Sequence, residues 1–230
     1  ESALVDALLE KLPEGSTIEV VTTQPNRYAS FAAEAPTFEQ AGPLTIQRIP
    51  LPAHQSGMVD QSRAFGVFAR RAWQLTKSQA YDVIFASSSR LMTGVLGSAI
   101  ARRQRAAFYL DIRDIFTETM REVLGKSPVR AAMPLFDGLE RWALKRANRV
   151  NLVSPGFVDH FADKVPPERL SQFTNGIDPE FLERDFQPSS RQKSPEKLIL
   201  YAGNMGDGQG LHRVVPEAAK RLEGEARFCL

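Results

Sequence analysis

Asp82-Val83-Ile84-Phe85-Ala86 and Ala106-Ala107-Phe108-Tyr109-Leu110-Asp111 flank a helical stretch at 91–103. Short, nearly all-apolar runs separated by a helix suit strands buried on both faces of a parallel sheet. The pattern continues outward in both directions. Towards the N-terminus, 17–22 (TIEVVT) is β-rich and follows the breaker Pro13-Glu14-Gly15, and 44–49 alternates with period two. Towards the C-terminus come 150–153 (VNLV) and 198–202 (LILYA). Helical patterns lie between, at 2–12, 60–78, 91–103, 134–147, 156–162 and 211–222. This alternation predicts an α/β fold with a doubly wound parallel sheet.

The segment Gln187-Pro188-Ser189-Ser190-Arg191-Gln192-Lys193-Ser194-Pro195 is polar and bracketed by proline, so it reads as a linker or exposed loop. After it the pattern restarts with a strand, a glycine-rich turn and a helix. Two units are therefore predicted: a Rossmann-like domain at 1–185 and the beginning of a second one at 186–230. Residues 2–12 open directly into a helix, with no buried strand before it, and 226–230 reads as a strand barely begun. Material is expected to be missing at both ends.

Bulk composition narrows the function classes. Hydrophobic residues make up 43% of the 230 and charged residues 24%, which is ordinary globular material. A net charge of +2 is too mild to argue for nucleic acid. The single cysteine, Cys229, excludes an internal disulfide and fits a reducing compartment. No apolar run approaches the roughly 20 residues of a membrane span. The expected location is cytoplasmic.

Ligands of open α/β sheets bind beyond the carboxyl ends of the strands. After 198–202 comes Gly203-Asn204-Met205-Gly206-Asp207-Gly208-Gln209-Gly210, opening the helix at 211–222. Glycines there permit close backbone approach, and the N–H groups of a helix start favour an anion such as a diphosphate. The alternative is a glycine-rich turn without a ligand. After 106–111 comes Ile112-Arg113-Asp114-Ile115-Phe116-Thr117-Glu118, which with Asp111 places three carboxylates and an arginine at one strand terminus. Arg113 suits phosphate neutralisation, and Asp114 or Glu118 suits hydroxyl binding or proton transfer; a structural ion-pair cluster is the alternative. Ser154 either caps the next helix or lines the cleft. Asn175-Gly176 is a turn signal and Asp178-Pro179 limits backward extension of a helix.

In the helix at 60–78, Arg63, Arg70 and Lys77 recur every seven residues, with Phe65, Phe68, Ala72 and Leu75 on another side. Such a basic face either rests on an anionic membrane or is simply solvated. His54, His160 and His212 show no metal-ligand spacing.

Several of these stretches, in this order, resemble the retaining glycosyltransferases of family 4, which have the GT-B fold. They are similar in particular to the branch that builds bacterial surface polysaccharides and includes N-acetyl-fucosamine transferases. The matching stretches are Tyr81-Asp82-Val83-Ile84, Asp111-Ile112-Arg113-Asp114, Leu139-Glu140-Arg141-Trp142 with Ala147-Asn148-Arg149-Val150, and Ser154-Pro155-Gly156-Phe157. They continue with Asn175-Gly176-Ile177-Asp178-Pro179-Glu180-Phe181 and Tyr201-Ala202-Gly203-Asn204-Met205-Gly206.

The resemblance implies an acceptor-side N-terminal domain, a donor-side C-terminal domain and a cleft between them. It implies sugar transfer with retention from a nucleotide-sugar co-substrate, UDP-linked, with neither cofactor nor metal. The acceptor is a saccharide, lipid-linked, in cell-envelope polysaccharide or O-antigen synthesis, so the membrane's inner face is an expected partner. By position, Gly203, Asn204, Gly206, Gln209 and Gly210 match the loop that approaches the donor diphosphate. Arg113, Asp114 and Glu118 are the candidate catalytic residues, and Ser87, Ser154 and Asn175 the candidate cleft lining.

There are departures. Arg113 stands where many members carry a histidine, and Ser88-Ser89-Arg90 and Phe116-Thr117 replace Pro-rich stretches of the branch, so acceptor choice is expected to differ. The glycine-rich turn after the first strand would precede Glu1, and the donor-sugar Glu-x7-Glu motif would lie beyond Leu230. The chain as given is therefore expected to be an inactive fragment. The alternatives are a non-catalytic nucleotide-sugar-binding or scaffold protein and a GT-B-fold sugar-nucleotide epimerase.

Overall fold

A computed structural model describes residues 2–25, 35–52, 58–88, 90–123, 131–177, 179–183, 196–203, 205 and 209–230. Nine strands and eight α-helices occur among these residues. In chain order they begin with α1 (Ser2–Lys11), β1 (Ile18–Thr23), β2 (Phe38–Ala41), β3 (Leu44–Ile49), α2 (Met58–Leu75), β4 (Val83–Ser88) and α3 (Leu91–Gln104). Then come β5 (Ala107–Ile112), α4 (Phe116–Val123), α5 (Met133–Arg146), β6 (Arg149–Leu152), α6 (Val158–Phe161) and β7 (Leu170–Ser171). The last are α7 (Pro179–Glu183), β8 (Lys197–Leu200), α8 (Leu211–Arg221) and β9 (Ala226–Cys229).

The α/β class and its parallel strands are as the alternation predicts. β4, β5, β6 and β7 form a four-stranded, wholly parallel sheet in that order. The apolar runs enclose a core of Ala86, Phe108, Leu110, Ile112, Leu144, Val150, Leu152, Phe161 and Val165. Burying each of the larger side chains contributes up to about 1.5–3 kcal/mol. α3 lies close against the sheet because of Gly97: a Cβ there would meet the Ala86 Cβ at 2.8 Å and the Phe108 ring at 3.0 Å.

Two expectations are corrected. First, among the described residues the strands do not form one sheet. β1, β3 and β2 make a separate three-stranded sheet in that order, with β2 antiparallel to β3. β4 is consequently an edge strand, with Val83 and Phe85 exposed. The Tyr81 hydroxyl links the two sheets by donating to Glu19, which also accepts from Gln47. Burial first, and then Glu19, push the Tyr81 phenol above its ordinary value of 10.0.

Second, the 198–202 run is not buried on both faces. β8 ends at Leu200, pairs in parallel with β9 and with no other strand among the described residues, and is exposed throughout. The helix expected at 211–222 is present as α8 and carries Pro216 inside it, which removes one helical N–H donor. The polar stretch 187–195, on which the two-domain division rests, lies outside the described residues.

α2 meets α3 through Arg103. Its guanidinium lies 4.0 Å from the Trp73 ring centroid and donates to the Trp73 carbonyl and to Thr76 Oγ1. Among the described residues, no helix is long and apolar enough to cross a membrane.

Candidate functional site

The register of the four-stranded sheet aligns one polar residue from each strand. Ser87 is opposite Asp111, Asp111 opposite Asn151, and Asn151 opposite Ser171. The row crosses the sheet near the carboxyl ends of its strands, where an open α/β sheet holds its ligands. One strand position must separate such a residue from an apolar one on the opposite face. Asp111 therefore points away from Leu110 and Ile112, which join the core.

Asp111 is the hub of this row, with its side chain only 7% exposed. Its Oδ2 accepts from Ser87 Oγ at 2.7 Å and from Arg113 Nε at 3.1 Å, and its Oδ1 accepts from Asn151 Nδ2 at 2.7 Å. Arg113 Nε also reaches Ser87 Oγ at 2.9 Å. A buried carboxylate without partners would be strongly unfavourable; these three donors, one of them cationic, make it tenable. Asn151 extends the row to the loop after β7. Its Nδ2 donates to the Phe173 carbonyl at 3.0 Å and its Oδ1 accepts from the Phe173 N–H at 2.7 Å. Asn175, on that loop, is exposed.

The three candidate catalytic residues do not converge. No hydrogen bond or ion pair joins Arg113, Asp114 and Glu118 to one another among the described residues. Asp114 borders a cavity of about 40 Å³ whose lining includes Leu91, Gly94, Leu110, Phe116 and Glu140. Glu118 belongs to a hydrogen-bonded cluster that shares Glu140 with that cavity. Its Oε1 meets His160 Nδ1 at 2.8 Å, His160 Nε2 lies 2.7 Å from Lys164 Nζ, and Lys164 donates to buried Glu140 at 2.9 Å. Thr117 donates to the other Glu140 oxygen at 3.1 Å. The cluster ties α4, α5 and α6 together. His160, which shows no metal spacing in the sequence, has its place here.

Ser154 takes its capping role: its Oγ accepts from the Gly156 N–H at 3.3 Å. In the glycine-rich loop, Asn204 and Gly206 lie outside the described residues. Gly210 adopts φ +63 at the N-cap of α8, a left-handed conformation that favours glycine, and makes no side-chain cap. Gln209 is exposed, and Gly203 lies against the Tyr201 ring, whose Oη would be 2.9 Å from a Cβ at that position. Among the described residues no group of three or more His, Cys, Asp and Glu is arranged to hold a metal ion.

Sequence reasoning missed Asn151. It sits inside the apolar run VNLV and reads as an ordinary strand residue until β5 and β6 are known to be neighbours. An asparagine at a position that would otherwise be core was the available signal.

A parallel α/β sheet with a polar row at its carboxyl edge is a frame that holds ligands there. Residues 5–176 match the family described as glycosyl transferase 4-like domain, and the chain belongs to that family. A search of curated proteins returned no match. Among solved structures, the chain is similar to Arabidopsis thaliana UGT89C1 complexed with quercetin, at 15% identity and a TM-score of 0.53. It is also similar to the same protein complexed with UDP-L-rhamnose, at 14% identity and a TM-score of 0.51. Each alignment covers 98% of this chain and 59% of the other. The chain thus spans about three-fifths of those structures and shares their GT-B type of fold.

Proposed function

We propose that this chain supplies the acceptor-side domain, 1–185, and the opening unit of the donor-side domain, 186–230, of a retaining glycosyltransferase. The whole protein moves a sugar from a UDP-linked donor to a saccharide acceptor, lipid-linked, in surface-polysaccharide synthesis. The observation that carries this reading is the polar row of Ser87, Asp111 and Asn151, with Arg113 attached, at the carboxyl edge of a sheet inside the family match. The UDP-L-rhamnose complex of the similar plant structure supports a nucleotide-sugar donor.

In this reading Arg113 and Asp114 face the acceptor cleft. Gly203, Asn204, Gly206, Gln209 and Gly210 approach the donor diphosphate through backbone N–H groups and the start of α8. Those groups contribute about 0.3–1 kcal/mol when exposed and up to about 2 when partly buried. The loop carries no lysine or arginine, so the diphosphate charge needs cations from elsewhere.

The test is a transfer assay on the full-length protein. UDP-sugars are supplied with a polyprenyl-linked saccharide, and the anomeric configuration of the product is read by NMR. Retained configuration supports the reading. Failure of every UDP-sugar to transfer, with donor binding equally absent by calorimetry, would sink it. Gln209→Ala should lower donor affinity by one hydrogen bond, about 0.5–1.5 kcal/mol.

A further inference from the structure

We propose that Arg113 is a fork for a phosphate oxyanion and that Asp111 is the residue that positions it. The inference rests on reading this sheet edge as the wall of a glycosyl-transfer cleft; it adds Asp111 to the site and assigns the ligand's chemistry.

A guanidinium carries one N–H at Nε and four on its two Nη atoms. In Arg113 the Nε edge is already taken, lying 2.9 Å from Ser87 Oγ and 3.1 Å from Asp111 Oδ2. No described residue meets either Nη, and the side chain is 35% exposed. Its anchor cannot follow a ligand, because Asp111 is fixed in turn by Ser87 and Asn151, each at 2.7 Å.

The result is a planar cation pinned by its inner edge, with its outer donors unspent at the carboxyl end of the sheet. That geometry matches a phosphate bidentately, whereas a lysine offers only a point charge. A neutral sugar hydroxyl needs no such fork. Both substrates of the proposed reaction carry phosphate: the diphosphate of the donor and the phosphate that links a lipid to an acceptor. Oxyanion recognition is common to the two.

Inorganic pyrophosphate is titrated into the 230-residue chain, with the Arg113 Nε–H resonance followed by heteronuclear NMR. The expected result is a saturable shift. Arg113→Lys, which keeps a cation beside Asp111 but removes the fork, should weaken binding about tenfold with the fold retained. Asp111→Asn separates positioning from charge. If Asp111 acted by charge alone, removing its negative charge would tighten pyrophosphate binding. Positioning instead requires binding weaker by about tenfold and an Nε–H that exchanges rapidly with water.

Ser87→Ala gives a milder version of the same loss should Asp111→Asn fail to fold. Competition by UDP assigns the oxyanion to the donor, and competition by geranyl phosphate assigns it to the acceptor; either supports the fork. The proposal is overturned if no saturable shift occurs, if Arg113→Lys binds as the parent does, or if Asp111→Asn binds more tightly. These readouts register oxyanion binding alone, so a failed transfer assay with pyrophosphate binding intact counts against the proposed reaction and not against the fork.

Discussion

The Tyr81 hydroxyl donates to the Glu19 carboxylate across the seam between two sheets, so one phenolic proton joins β1 to the approach of β4. Because the Tyr81 pKa is raised, by burial first and Glu19 second, the folded protein holds that proton more tightly than the unfolded chain does. The sign follows. The contribution is fully present below the unfolded value near 10 and is lost as pH rises through the higher folded value. Urea unfolding at about pH 9 and about pH 11 should show a fall in stability that is smaller in Tyr81→Phe. An identical fall in both proteins would mean the link contributes nothing.

Glycines on two helices should respond in opposite directions. Gly97→Ala drives a methyl into Ala86 and Phe108 and should destabilise by about 1–3 kcal/mol. Gly138, in α5, has open space where a Cβ would stand, so Gly138→Ala should stabilise by up to about 1 kcal/mol. Chemical denaturation of the two variants checks both signs.

Glu140 is buried and depends on Lys164 for countercharge. Lys164→Met alone should cost about 3 kcal/mol, because it leaves a desolvated carboxylate, and adding Glu140→Gln should recover part of that loss. A double mutant as unstable as the sum of the singles would show that the pair does not act as a pair.

The basic residues of α2 offer a test of membrane association. Arg63, Arg70 and Arg71 of α2 are exposed, as is Lys77, which lies two residues beyond the helix, while Ala72 is buried and Phe65, Phe68 and Leu75 are half-buried. Each cation near an anionic surface contributes about 1 kcal/mol. Co-sedimentation with phosphatidylserine vesicles should fall when Arg70 and Arg71 become Glu; unchanged sedimentation would leave the face merely solvated.

The strands of the parallel sheet were legible from their apolar runs, as in 83–86 and 107–110, even though Val83 and Phe85 of β4 stay exposed. β2, with sequence FEQA, and the two-residue β7 were not, since both are too short and too polar to show a period. α4 was hidden by its own charge: Glu118 read as chemistry before it read as part of a helix. The seam beside β4 was invisible too, because an apolar run reports burial without naming its neighbour. Arg113 stood out as a charge at a strand terminus. Asp111 was visible only as one of three carboxylates there, and its alignment with Ser87 and Asn151 comes from cross-strand register, which no local pattern encodes.

The β8–β9 ribbon has a consequence for handling the protein. Leu198, Ile199 and Leu200 are exposed on a two-stranded pair, each of whose strands has one edge unpaired among the described residues. Ribbons this narrow are marginal by themselves, and bare apolar edges are templates for strands of other molecules. At millimolar concentrations the chain is expected to associate edge to edge through this ribbon, and Ile199→Lys should keep preparations monodisperse.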